Sequence, residues 1–216
     1  MNEQYYTDDF GVVHQKDPEP FNYDESYIET YDKLGEKQTP MSALRLSSIL
    51  TAIRHYDPSY QPQSIMDIGY GDGNFLKFCN SAGFKTYGSD VTGRPVPEGT
   101  KYIANPFIEY SYSSIVTMFD VLEHFPDMAM IQQLNCDYLA LSVPNLPTRD
   151  YTSEEFKNWR HRKPNEHLHH FDLHSLCSYL YSLGFHVISY NYLEDMIRKS
   201  EGTKPNILSV VCEKHL

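Results

Sequence analysis

The 216-residue chain has little with which to cross-link itself: four cysteines, Cys79, Cys136, Cys177 and Cys212, with no Cys-x-x-Cys pair among them. Each lies in an apolar segment, so buried free thiols are expected rather than disulfides or a zinc site. Basic residues are also scarce, 18 against 29 acids, for a net charge of −11. That deficit argues against a sequence-independent grip on nucleic acid, whose affinity comes from neutralising phosphates. No run approaches the roughly 18 consecutive apolar residues that mark a membrane span. The opening Met1-Asn2-Glu3-Gln4-Tyr5-Tyr6 lacks the basic and apolar regions of a signal peptide. A soluble, cytoplasmic protein is therefore expected. Aromatic residues, by contrast, are plentiful, with 18 Tyr and 11 Phe beside the one Trp, too many for a disordered chain.

The acidity is concentrated. Residues 1–30 hold eight acids against Lys16 alone, so this stretch carries −7 of the −11. It also holds Tyr5, Tyr6, Phe10, Phe21, Tyr23 and Tyr27. Residues 1–38 are accordingly read as an acidic aromatic arm, either a frayed tail or a lid whose tyrosines face a site, and 39–216 as the main domain. Thr39-Pro40 reads as N-cap and first helical residue, and Leu46, Ile49, Leu50 and Ile53 follow at helical spacing until Asp57-Pro58.

From Ser64 the pattern becomes strand, turn, helix, repeated. Strands are legible at 64–68, 85–89, 114–119, 138–143, 185–192 and 207–212, each a short apolar run. Phe75, Leu76, Cys79 and Ala82 form a helical stripe that stops at Gly83, and Asp172 can cap a helix carrying Leu176, Leu180 and Leu183 on one face. This alternation predicts an α/β fold, a doubly wound, Rossmann-like sheet of seven mostly parallel strands with an antiparallel strand at one edge.

The most informative stretch is Ile65-Met66-Asp67-Ile68-Gly69-Tyr70-Gly71-Asp72-Gly73-Asn74-Phe75, where a strand hands over to a helix. Glycines at 69, 71 and 73 let the backbone turn tightly and approach a ligand, with N–H groups at the helix start. Nineteen residues after Gly71 stands Asp90, at the end of the next apolar strand, where a carboxylate can accept hydrogen bonds from both hydroxyls of a ribose. A dinucleotide site uses Gly-x-Gly-x-x-Gly; here the spacing is Gly-x-Gly-x-Gly.

That spacing, preceded by Asp67, resembles motif I of the class I S-adenosylmethionine-dependent methyltransferases. Phe119-Asp120-Val121-Leu122-Glu123-His124-Phe125-Pro126-Asp127 resembles the segment after strand four in ubiquinone- and menaquinone-type enzymes. Ser142-Val143-Pro144-Asn145, Trp159 and Glu166-His167-Leu168-His169-His170-Phe171 continue the likeness to the methyltransferase domain type 23 subgroup. The resemblance implies S-adenosylmethionine as cofactor and S-adenosylhomocysteine as product. It implies that Gly69, Tyr70, Gly71 and Asn74 line the methionine end, with Asp67 suited to its cationic group directly or through water. Asp90 and Val91 would take the ribose, Asn105 would lie near the adenine, and Asp120 and Val121 would face the methyl group. Tyr70 departs from the cysteine common at that position.

Five histidines, His161, His167, His169, His170 and His174, fall within fourteen residues beside Arg160, Arg162 and Lys163. The loop follows a sheet strand at the carboxyl edge, where ligands sit. His124 and His167, at positions the resemblance matches, are the candidate catalytic groups, able to take a proton from an acceptor hydroxyl. The basic run suits an anionic or sugar acceptor, and equally a solvated loop. Asp120, Glu123 and His124 are similar to the acid-acid-histidine set that some ubiquinone O-methyltransferases use for a divalent cation, but capping and solvation explain these residues as well, and no metal is expected. The function expected is methyl transfer to an oxygen of a sugar or other small metabolite. A catalytically silent S-adenosylmethionine-binding module, serving as sensor or partner subunit, is the alternative. A nicotinamide-dependent oxidoreductase and a nucleic-acid methyltransferase are disfavoured by the glycine spacing and by charge. Oligomeric state is not legible.

Overall fold

A computed structural model of the protein describes residues 4–22, 38–109, 112–198 and 204–215. Its centre is a seven-stranded sheet. The strands are β3 (Ser64–Ile68), β4 (Lys85–Ser89), β5 (Thr100–Tyr102), β6 (Ser113–Phe119), β7 (Cys136–Pro144), β9 (Phe185–Asn191) and β10 (Ile207–Lys214). They lie in the order β5-β4-β3-β6-β7-β10-β9. Pairings from β5 through β7 are parallel, and β10 runs antiparallel to both β7 and the edge strand β9. The expected antiparallel pair thus closes one side of the sheet.

The period-two alternation of the strands sorts their side chains between two cores. Ile65, Ile115, Tyr138, Ala140 and Val211 face α1 (Gln38–Tyr56) and α2 (Asn74–Ser81), meeting Leu46, Ile49, Ile53, Phe75 and Cys79. Met66, Val116, Met118, Leu139, Leu141 and Val210 point the other way, toward Leu176 and Leu180 of α4 (Leu173–Ser182). Every one of these side chains is buried. The helix expected to begin at Pro40 with Thr39 as its N-cap begins two residues earlier, at Gln38, so Thr39 lies within it. All four cysteines are free, three of them buried. Two short helices, α3 (Glu154–Lys157) and α5 (Asp195–Arg198), two 3₁₀ turns at Leu122–His124 and Met128–Gln133, and a second sheet complete the described elements.

That second sheet was not legible. β1 (Tyr5–Thr7) and β2 (Val13–Gln15) pair as a hairpin, and β2 pairs antiparallel with β8 (His169–His170), Val13 opposite His170 and His14 opposite His169. Tyr5 is buried edge-on against Phe156 at 5.0 Å, which fastens β1 to the segment after β7. Tyr6, by contrast, is exposed. Tyr23 and Tyr27 of the arm lie outside the described residues.

Helix α4 starts on Asp172 as expected. Asp172 Oδ1 accepts from the Ser175 N–H at 2.8 Å, and Ser175 Oγ accepts from the Asp172 N–H at 3.0 Å, a reciprocal capping box. Arg149 adds a two-pronged pair to the same carboxylate. Replacing Asp172 by Ala removes both, and denaturant unfolding should show a loss of roughly 1–2 kcal/mol. Ser175→Ala, which removes only the return bond, should cost less.

Candidate active site

The chain leaves β3 to build β4 and β5 on one side, then returns to build β6 and β7 on the other. The crevice at the carboxyl ends of β3 and β6 is therefore the switch point where such sheets bind ligands. Two loops meet there. After β3, Gly69, Gly71 and Gly73 all have positive φ (74°, 55° and 73°). After β6, Val121 packs onto Gly69 so closely that a Cβ at 69 would overlap Val121 Cγ2. Gly71 differs: nothing lies within 4 Å of where its Cβ would be, and it borders a cavity of about 780 Å³.

Asp90 forms the neighbouring wall of that cavity. Its carboxylate accepts from the Gly71 N–H at 2.9 Å, the Thr92 N–H at 2.8 Å and Thr92 Oγ1 at 2.6 Å. A carboxylate has about four acceptor positions, so one remains after these three bonds, and the Thr92 hydroxyl can yield another. Val91 is 82% exposed and Asn105 holds the Phe107 N–H at 3.1 Å; both border the cavity, as do Asp120 and Val121. Phe107, Phe125, Met130 and Leu168 give it an apolar wall.

Not every expected residue reaches the cavity. Asp67 is buried behind the turn, its Oδ1 accepting from Thr117 Oγ1 at 2.7 Å. The Tyr70 hydroxyl donates to the Arg94 carbonyl, and its ring lies against Gly88. The Asn74 amide donates to Asp72 at 2.8 Å. None of these three side chains borders the cavity.

His124 does border it, and His167 stands behind His124, rings edge to face at 4.7 Å. The His124 Nδ1–H donates to the Glu166 carbonyl at 2.8 Å, so Nε2 is the atom able to accept a proton. Next to it Glu123 is buried, and neither of its carboxylate oxygens nor His167 Nδ1 has a hydrogen-bond partner. Burial, then the nearby Asp120 charge, push the Glu123 carboxyl well above its ordinary range. Glu123, His124 and His167 bring three ligand atoms within 4.8 Å of one another, a set that could hold a cation. Asp120 is not part of it; its carboxylate pairs with Arg198. His161 donates to or accepts from Asn206, and His170 sits in β8.

The arm closes one side. Gln15 and Asn165 clasp each other through two bonds of 2.7 Å, and Asn165 also accepts from the Glu19 N–H at 3.1 Å. This brings Pro18, Pro20 and Phe21 to the rim of the cavity. Of the basic run, Arg162 joins this contact, lying over the Tyr5 ring at 5.5 Å and donating to Gln4, while Lys163 pairs within its own loop with Glu166 at 2.8 Å. Arg160, Arg162 and Lys163 do not border the cavity.

A family model described as a methyltransferase domain matches residues 28–190, well over half of the chain. The chain belongs to the methyltransferase domain family. Solved structures agree on the fold. The magnesium protoporphyrin IX methyltransferase of Synechocystis PCC 6803 with bound S-adenosylhomocysteine superposes with a TM-score of 0.59 at 14% identity, over 89% of this chain and 96% of that one. The Burkholderia thailandensis 1,6-didemethyltoxoflavin-N1-methyltransferase gives 0.54 at 14%, over 98% and 99%. An S-adenosylmethionine-dependent methyltransferase from Archaeoglobus fulgidus gives 0.54 at 18%, over 88% and 100%. No curated protein matches the sequence. Among the described residues of this methyltransferase, no helix is long and apolar enough to cross a membrane.

The buried and half-buried histidines give the methyltransferase a distinctive pH response. Burial lowers His167, His169 and His170 to about 2, 4 and 3, and holds His124 and His161 below the ordinary value. Below about pH 6.5 the unfolded chain protonates all five, whereas the fold keeps His167, His169 and His170 neutral and binds protons less readily at the other two, so stability falls on acidification. Asp67 and Glu123 oppose this. Burial raises Asp67 to about 7, above its unfolded value, so its contribution is greatest below about pH 4 and is lost as pH rises through 7. The five imidazoles outweigh the two carboxyls, and the unfolding midpoint should fall between pH 7 and pH 5. Asp67→Asn should steepen that fall; an unchanged pH profile in the variant would contradict the assignment.

Proposed function

We propose that the chain moves the methyl group of S-adenosylmethionine to an oxygen of a small, flat and largely apolar acceptor, releasing S-adenosylhomocysteine. The observation that carries this reading is a single cavity with a glycine turn and Asp90 on one wall and Phe107, Phe125, Met130 and Leu168 on another. The residues present suit the cofactor: Gly71 is open where a side chain would intrude, and Asp90 keeps acceptor capacity for ribose hydroxyls. In this reading Gly69 and Gly71 hold the methionine end by backbone groups, Asp90 and Val91 the ribose, Asn105 the adenine side, and Asp120 with Val121 the region of the methyl group.

The cofactor supplies a methyl group on a positively charged sulfur, so the chain's task is alignment and exclusion of water. Residues 1–38 act as a lid on the domain formed by 39–216, with Pro18–Phe21 covering the cavity. His124 Nε2 receives the acceptor's hydroxyl proton, and His167 supports the His124 ring from behind. An apolar wall favours a ring-shaped acceptor over the sugar or anion that the basic run suggested, since that run lies off the cavity.

Calorimetry with S-adenosylhomocysteine and a methyl-transfer assay over hydroxylated ring compounds test this together. Asp90→Ala should weaken cofactor binding roughly 10- to 100-fold, the worth of one or two charged hydrogen bonds. His124→Gln should lower kcat by roughly 100-fold or more while leaving cofactor affinity near that of the wild type. Tight cofactor binding with no product from any acceptor would instead make the chain a silent binding module.

A further inference from the structure

Asp120 is the turning point between β6 and the cavity wall. Its φ of 55° is left-handed, its N–H is held by the Ser142 carbonyl at 2.9 Å, and the 3₁₀ turn Leu122–His124 follows directly. A non-glycine residue is uncommon in that conformation, although Asp and Asn adopt it more readily than most. The direction taken here decides where Val121 meets Gly69 and where His124 meets the cavity.

The Asp120 side chain is drawn into a half-buried ionic group that spans three parts of the chain. Arg198 of α5 donates to Asp120 Oδ2 and, through Nε, to Glu194 Oε2 at 2.8 Å. Arg45 of α1 grips both oxygens of Glu194, at 2.8 and 2.9 Å, stands 3.8 Å from Asp120 Oδ2, and stacks its guanidinium over the Phe119 ring at 4.0 Å. Glu194 is 2% exposed. Two acids and two guanidinium groups cancel in charge, and the forked geometry fixes orientation as well as distance. Asp195, next in sequence to Glu194, accepts from the N–H groups of Asn206 and Ile207 at 2.8 and 3.0 Å, which ties this segment to the start of β10. Neither Glu194 nor Arg198 borders the cavity.

We propose that Arg198 and Glu194 are positioning residues for methyl transfer, clamping Asp120 in its left-handed turn and so setting the path from Val121 to His124. The proposal rests on the reading of this cavity as the transfer site. Arg45 completes the clamp from α1. Without Arg198, the Asp120 carboxylate faces the neighbouring Glu194 and Glu123 with only Arg45 at a distance, and it leaves the turn.

The test is a double-mutant cycle on the full chain, with kcat, KM and the S-adenosylhomocysteine dissociation constant measured for wild type, Arg198→Gln, Asp120→Asn and the pair. Asn tolerates the left-handed turn and carries no charge for Arg198 to balance. Arg198→Gln should therefore lower kcat roughly tenfold in the native background and change it by less than about twofold in the Asp120→Asn background, a coupling expected of contacting partners. Equal losses in both backgrounds, or none in the native one, would overturn the proposal. If Arg198→Gln fails to fold, Arg198→Lys, which keeps the charge without the fork, should give a smaller loss of kcat at unchanged KM. If Asp120→Asn is itself inactive, the amide chemical shifts of Val121 and His124 supply the same comparison: they should move on Arg198→Gln only when Asp120 is present. A wild-type chain that binds no S-adenosylhomocysteine would refute the underlying reading of the cavity, whereas normal binding and turnover in Arg198→Gln would refute the clamp alone.

Discussion

The contact of Val121 with Gly69 is the constraint from which the site follows. β3 and β6 are neighbours in the sheet, and the loops at their carboxyl ends can close on each other only if one of them has no side chain at the meeting point. Gly69 provides that gap, and its positive φ sends the chain into the turn that exposes Gly71 to the cavity and the Gly71 N–H to Asp90. Strand topology thus creates the crevice, while one missing Cβ determines its depth. On the far side of the contact, the left-handed turn at Asp120 carries the chain toward His124 and is held by charges from α1 and α5. The two loops that form the cavity therefore depend on two different devices, glycine on one side and an ionic clamp on the other.

The second sheet brings the arm to the same place by polar means. His14 and His169 approach through their Nδ1 atoms at 2.8 Å, His14 Nε2 lies 3.0 Å from Asp8, and His169 Nε2 donates to the Phe125 carbonyl at 2.7 Å. Since the carbonyl can only accept, the His169 Nδ1 of a neutral ring is left to accept from the His14 Nδ1–H. With the Gln15–Asn165 clasp, this chain of bonds runs from the arm to a residue of the cavity wall, Phe125. The histidine-rich loop is thus largely scaffold for the arm, with His124 the one histidine at the cavity.

How much of this could be read from the sequence depended on whether a feature was local. The glycine turn, the strands at 64–68 and 85–89 and the acid ending the second are written in consecutive residues, and the structure brings Gly71 and Asp90 within hydrogen-bonding distance. The Asp172 cap was legible for the same reason. β5 was not, because Thr100–Tyr102 is three residues long and mostly exposed, with no alternation to detect. The Arg45–Glu194–Arg198–Asp120 group joins positions up to about 150 residues apart, and no spacing announces it. For Asp67 and the basic run the sequence names a charge but no neighbour: Asp67 Oδ1 accepts from Thr117 Oγ1, and Arg162 lies over the Tyr5 ring, contacts that no local spacing announces. Charge in a sequence names a chemistry but not a partner.

In the proposed reading one crevice, opened by Gly69 and edged by Asp90, holds the cofactor beside an apolar acceptor wall. A crystal structure with S-adenosylhomocysteine tests it most directly. The ribose hydroxyls should lie on the Asp90 carboxylate, the homocysteine end over Gly69 to Gly71, and the sulfur facing the space between Val121 and the wall of Phe107 and Phe125. S-adenosylhomocysteine bound elsewhere, or bound in the crevice with its ribose away from Asp90, would contradict it.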